Sequence, residues 1–393
     1  MMNCNRTGSI KRVVGAAVLI GLAMMTFAVQ ANAAATITHS TANLSAGRNN
    51  GAATTVDGKA FFAGGVSPGV YHDTVDIYDS GTNTWSTDTL SVGRVSLAAT
   101  SVGDYALFAG GYNASSTLDT VDIYNSSTNT WSSTTLSSPR QRIMATSVGN
   151  LAIFAGGWGS GHPSTGVTTV DIFNSSTNTW STANLSVARG LGMVTTVGDL
   201  AMFAGGRGPG NYSDAVDIYN ATTNTWSTAN LSTARGSGAA TTVGNFALFG
   251  GGYPPGSDSD VVDIYDSNTN TWSTSTLPSG PRRDLGAATI DGLALFGHGY
   301  VYSTKVDVWD PSKPVGSRWS TLDFGAALPP SVTHVPATVT VVGDQAFFAG
   351  SNQSDGAGGY DPQVDIYATP EPATMSLLAI GGLAMLKRRR RKA

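Results

Sequence analysis

Seven aspartates punctuate the chain, each within Val-Asp-Ile-Tyr or a near variant: Asp76, Asp122, Asp171, Asp217, Asp263, Asp307 and Asp365. A recurring carboxylate can ligate a metal or act as a general acid or base. Each of these, however, alternates with apolar neighbours on what reads as a strand. That pattern turns it toward a local polar network rather than a shared reaction centre. Arginines recur with the same period: Arg48, Arg94, Arg140 or Arg142, Arg189, Arg235, and Arg282 or Arg283, with His334 in that region of the last unit. Pairing with the unit's own carboxylate accounts for them. The alternative is a ring of donors that grips an acidic or polyhydroxylated partner.

Other reactive side chains are sparse. The single cysteine is Cys4 and the single glutamate is Glu371, one close to each end. The five histidines (His39, His72, His162, His298, His334) fall in different units without metal-ligand spacing. No catalytic residue, metal or cofactor is therefore assigned, and the chain is not expected to be an enzyme. Between residues 34 and 370, 13 Lys and Arg face 25 Asp, so the body is acidic although the formal charge of the whole chain is only −4. It lacks the basic stripe that phosphate binding requires, which excludes nucleic acid as a partner.

These residues must be positioned by a repeat. Upstream of each Asp comes a Val-Gly-Asp or similar turn, an apolar strand, and a small-Gly-Gly ending such as Ala63-Gly64-Gly65 or Ala155-Gly156-Gly157; downstream comes Asn-Thr-Trp, with Trp85, Trp131, Trp180, Trp226 and Trp272, and Trp319 as a sixth copy. Each unit reads as four short strands, in the second unit about 98–102, 105–109, 120–124 and 130–136. One such sheet cannot bury both faces, but seven arranged radially can.

The Gly-Gly after the second strand, the aromatic ending the third and the Trp opening the fourth resemble the kelch repeat, over residues 36–367. The resemblance implies an all-β, seven-bladed β-propeller. Two units depart from it: the sixth has His298-Gly299 in place of Gly-Gly and the seventh has Gly350-Ser351 and no fourth strand. The missing strand lies at the other end of the chain, where residues 40–45 match residues 181–186 and His39 takes the Trp position. The N-terminal strand should close the ring. Galactose oxidase is another kelch-containing propeller, but its Cys–Tyr cofactor has no counterpart in a body without cysteine; sialidase chemistry fails for want of a glutamate.

The loops after Gly-Gly differ most between units: residues 66–74, 112–120, 158–169, 207–215, 253–260, 299–305 and 351–363. In a kelch blade they emerge at the same end as the loop before the first strand. Variation confined to loops on a constant scaffold marks the expected binding face. The aromatic and polar side chains there, Trp158, His162, Tyr71, Tyr212, Tyr302, Tyr360 and Arg207, suit sugar rings or a protein surface. Trp158 is the foremost of them, because it opens the longest regular loop.

The ends read as addresses. Lys11 and Arg12 precede an apolar run over residues 13–29 and then Ala31-Asn32-Ala33, a signal peptide over residues 1–33. The C-terminal segment, residues 370–393, holds Pro370-Glu371-Pro372, an apolar stretch over 373–386 and a basic cluster over 387–392. Such a stretch spans about 21 Å as a helix, short of a full bilayer core unless the basic residues snorkel. This segment resembles the PEP-CTERM sorting signal of Gram-negative bacteria. The resemblance implies recognition by an exosortase, cleavage near the PEP residues, a tail held initially in the inner membrane, and delivery to the cell surface, outer membrane or extracellular matrix. The expected function is a surface binding or adhesion module for polysaccharide or protein; the alternatives are a carbohydrate-active lyase or hydrolase and a purely structural matrix protein.

Overall fold

The computed structural model describes residues 37–160, 166–300, 304–324, 338–350 and 359–369. The expected signal peptide, Pro370, Glu371 and Pro372 with the rest of the C-terminal segment, and the side chains of His162, Tyr302 and His334 lie outside them.

The chain builds seven four-stranded antiparallel sheets. In the second blade the strands are Ala98–Val102, Tyr105–Ala109, Thr120–Asn125 and Thr130–Thr135, within a residue of the sequence expectation. The first strands of successive blades touch one another in a closed cycle that returns from the seventh to the first, so they surround a central axis. Threonine hydroxyls link them, as in Thr55–Thr340 and Thr195–Thr242, each at 2.8 Å. Burial follows radial position: the second strand is almost wholly buried, whereas the fourth alternates between exposed and half-buried.

The apolar clusters lie between blades rather than within them. One joins Phe61 and Val75 of the first blade to Phe108 and Tyr124 of the second, and the pattern recurs around the ring. The repeated Tyr and Trp therefore serve packing. Trp180 lies 5.2 Å from Phe173 and 6.1 Å from Phe154, ring centre to ring centre. The tyrosine hydroxyl also ties down the following turn: Tyr219 Oη donates to Asn224 Oδ1 at 2.8 Å, and Asn224 sits at φ 55° where asparagine is tolerated.

The N-terminal strand Thr38–Asn43 pairs with the last strand, Gln363–Ala368, and completes the seventh blade. His39 lies opposite Tyr367 as Trp180 lies opposite Phe173. The ring is closed by strands from the two extremes of the body.

Candidate functional site

The periodic Asp and Arg are structural. Each of six arginines enters from the crossover before a first strand and meets the carboxylate of the same blade: Arg48–Asp76 at 2.5 Å, Arg94–Asp122 at 2.7 Å, Arg140–Asp171 at 2.5 Å, Arg189–Asp217 at 2.7 Å, Arg235–Asp263 at 2.8 Å, and Arg282–Asp307. All twelve residues are buried. The carboxylate also accepts from the serine that leaves the preceding blade, as Ser186 N donates to Asp217 Oδ1 at 2.8 Å. The network thus spans neighbouring blades, wider than the sequence indicated. Glycine is required beside it. A Cβ on Gly156 would come within 2.3 Å of the Arg189 carbonyl, and Gly157 N donates to that same carbonyl at 2.8 Å.

The seventh blade solves the problem differently. Its crossover, residues 325–337, contains no arginine. Asp365 instead meets His39 Nε2 at 2.8 Å and Gln363 Nε2 at 3.1 Å, while His298 Nε2 lies at 3.8 Å. His298 occupies the first Gly position of the sixth blade at φ 61° and shares a 3.0 Å hydrogen bond with Tyr367 Oη. The departure from Gly-Gly therefore supplies an imidazole to the closing blade.

The crossover loops and the loops after Gly-Gly meet at one end of the propeller. Asn49 bridges Val66, Val95 bridges Tyr112, Gln141 bridges Trp158, Gly190 bridges Arg207 and Gly236 bridges Tyr253. Inside these pairs runs a belt of backbone hydrogen bonds from blade to blade: Ser96 N to Asn50 O at 2.8 Å, Arg142 N to Ser96 O at 3.0 Å, Leu191 N to Arg142 O at 3.3 Å, Ser237 N to Leu191 O at 2.9 Å, and Asp284 N to Ser237 O at 2.7 Å. All six residues lie at φ between 53° and 57°. The left-handed backbone lets each N–H reach the preceding blade's carbonyl.

Above the belt, on blades one to three, opens a cavity of about 480 Å³ lined by Asn50, Val66, Tyr71, Val95, Ser96, Tyr112, Gln141 and Arg142. Its size falls within the usual range for small-ligand sites. Tyr71 and Tyr112 meet edge to face at 6.0 Å on its wall. Blades four to six carry a row of cations and rings instead. Arg207 lies over Tyr212 at 5.7 Å, Tyr212 meets Tyr253 at 5.7 Å, and Arg283 lies over Tyr253 at 4.9 Å and Tyr300 at 3.9 Å. Arg283 also pairs with Asp258 at 2.8 Å.

The residues expected to bind are distributed unequally. Tyr71 lines the cavity, and Arg207 is exposed beside half-buried Tyr212. Tyr360 is half-buried, its backbone packed on Gly47, away from the cavity. Trp158 is only 3 % exposed, and its Nε1 donates to Arg207 O at 3.1 Å. Its ring is spent bracing the next blade's loop rather than facing solvent. Tyr112 and Gln141, not singled out from sequence, take prominent places beside Arg142, which the sequence offered only as an alternative to Arg140. Arg142 was distinguishable in principle: Arg140-Gln141-Arg142 offers two guanidinium groups to a blade with one buried carboxylate. Among the described residues, no three His, Cys, Asp or Glu side chains stand close enough to hold a metal ion.

The chain matches the kelch motif over residues 47–87 and 93–135. It matches the PEP-CTERM protein-sorting motif over residues 368–392, which indicates export through the membrane toward the cell surface with processing by an exosortase. No curated protein matches the sequence. The chain is thus an all-β, seven-bladed propeller that carries kelch motifs and ends in a PEP-CTERM sorting motif.

Proposed function

We propose that the protein is an exported binding module, without catalytic activity, that holds a surface or matrix polysaccharide or a surface protein at the loop end of its propeller. The observation that carries this reading is the cavity on blades one to three. Its walls combine two tyrosine rings with amide, hydroxyl and guanidinium groups, on loops whose sequences diverge while the strands beneath them repeat. Aromatic surface supplies contact area, and a few polar groups supply orientation. The variable loops can change without disturbing the buried Arg–Asp pairs.

The test is binding of the full chain, and of the Tyr71→Ala/Tyr112→Ala double variant, to extracted surface polysaccharide and to whole cells. The variant should bind about 10- to 100-fold more weakly, the loss typical of removing central aromatic contacts, with an unchanged circular dichroism spectrum. Equal binding by a folded double variant would remove the loop end as the binding face. Turnover of the polysaccharide would replace this reading with an enzymatic one.

A further inference from the structure

Six crossover arginines are consumed by six blade carboxylates, which leaves Arg142 without a structural assignment. Its position in the belt is held in the other described blades by Asn50, Ser96, Leu191, Ser237 and Asp284, all shorter side chains. Among the described residues, only the third blade carries a guanidinium at this belt position. Arg142 Nε is buried without a hydrogen-bond partner. Arg94, Arg140 and Arg282 share that condition at Nε, but each of those guanidinium groups holds a carboxylate. Arg142 holds none among the described residues, and the carboxylate that influences it, Asp284, acts through space without forming an ion pair.

Arg142 is half-buried, with its Nε shut off from solvent. A guanidinium partly stripped of water and without an anion is costly, and it binds an arriving carboxylate in a planar, two-point manner. Burial pushes the side chain's pKa below the ordinary guanidinium value, as it does for the paired Arg94, Arg140, Arg235 and Arg282, and the charge of Asp284 opposes the shift. The same cavity offers the Gln141 amide, the Ser96 hydroxyl and the Tyr71–Tyr112 ring pair. Those groups match ring hydroxyls and the apolar face of a pyranose.

We infer that the cavity on blades one to three receives an acidic sugar unit of a polysaccharide, with Arg142 as counter-ion to the sugar carboxylate and Tyr71 and Tyr112 against its ring. This rests on the loop end being the binding face. The body around the site is strongly acidic. A long-range field therefore does not draw polyanions to the molecule, and recognition is local to Arg142.

The probes are tri-galacturonate and the neutral galactose trisaccharide, titrated calorimetrically into the full chain at low and raised salt. The acidic trisaccharide should bind at least tenfold more tightly, and salt should weaken it selectively. Arg142→Gln should abolish the preference while retaining neutral binding, and Arg142→Lys should keep part of it; melting temperatures establish that both fold. The inference is overturned if tri-galacturonate does not bind, if the two sugars bind equally, or if Arg142→Gln keeps the preference. An oligoglutamate peptide that binds more tightly than the sugar, through Arg142, would overturn it in favour of a protein partner. Should these probes fail while Tyr71→Ala/Tyr112→Ala still loses the surface polysaccharide, the acidic-sugar inference falls and the binding face stands.

Discussion

Arg189 and Asp217 offer the sharpest test of how the blades are locked. Arg189 is fully buried and its side chain makes five contacts: Nη2 to Asp217 at 2.7 Å, Nε to Gly205 O at 2.8 Å, Nη1 to Val187 O at 2.9 Å, Nη2 to Phe203 O at 2.9 Å, and Nη2 to Ala215 O at 3.5 Å. Arg189→Met keeps most of the volume but strands the Asp217 carboxylate, retaining only its bonds from Ser186 N at 2.8 Å and Ser186 Oγ at 3.1 Å. Removing one partner of a buried pair costs about 3–5 kcal/mol. At about 2 °C per kcal/mol for a body this large, the melting temperature should fall by roughly 6–10 °C in scanning calorimetry. Adding Asp217→Asn removes the stranded charge and preserves the shape and the Ser186 bonds. The double variant should therefore recover about 2 kcal/mol relative to Arg189→Met alone, a coupling within the range for contacting residues. If the double variant is as unstable as Arg189→Met or worse, the ion pair is not what holds this junction.

Three further outcomes follow from the structure. Removal of residues 36–45 takes away the fourth strand of the closing blade and should lower the melting temperature by several degrees; an unchanged value would contradict closure by that strand. Deleting residues 370–393 should release a folded propeller into the medium, because the last ladder is complete at Ala368, and retention on cells or loss of β-sheet circular dichroism would refute this. His72 bonds Ser67 Oγ at 2.8 Å, and burial, followed by the charge of Arg48, lowers its pKa. The folded state thus keeps it neutral while the unfolded chain takes up a proton below about pH 6.5, so stability is lost on acidification through that window. His72→Gln should flatten the decline, and identical slopes for the two proteins would show that His72 contributes nothing to it.

The blade plan was legible because its signals are local. Val-Asp-Ile-Tyr, Asn-Thr-Trp and Gly-Gly each encode a turn or packing contact within one or two neighbouring strands, and the displaced strand around His39 betrayed itself by copying residues 181–186. The binding end was harder. Trp158 looked like an exposed anchor, yet a backbone bridge to Gln141 and a hydrogen bond to the next blade's Arg207 carbonyl draw its ring inside. Both partners are distant in sequence. Tyr112 and Arg142 reach one cavity only through the belt that joins separate blades, a relation absent from any single repeat. His298 was visible as a break in the glycine pattern, but its reason lies 67 residues away, at Asp365.

The seam has a mechanical side. Strand Gln363–Ala368, from which the sorting motif departs, is not an edge: Gln345–Ala349 flanks it on one side and Thr38–Asn43 on the other. Antiparallel hydrogen bonds lie across the strand direction. A pull along this strand therefore loads both ladders together in shear, whereas an edge strand under the same tension gives way through a single ladder. The first strand of the body acts as a clamp on the last, and tension applied through the sorting segment enters the propeller at a doubly held strand.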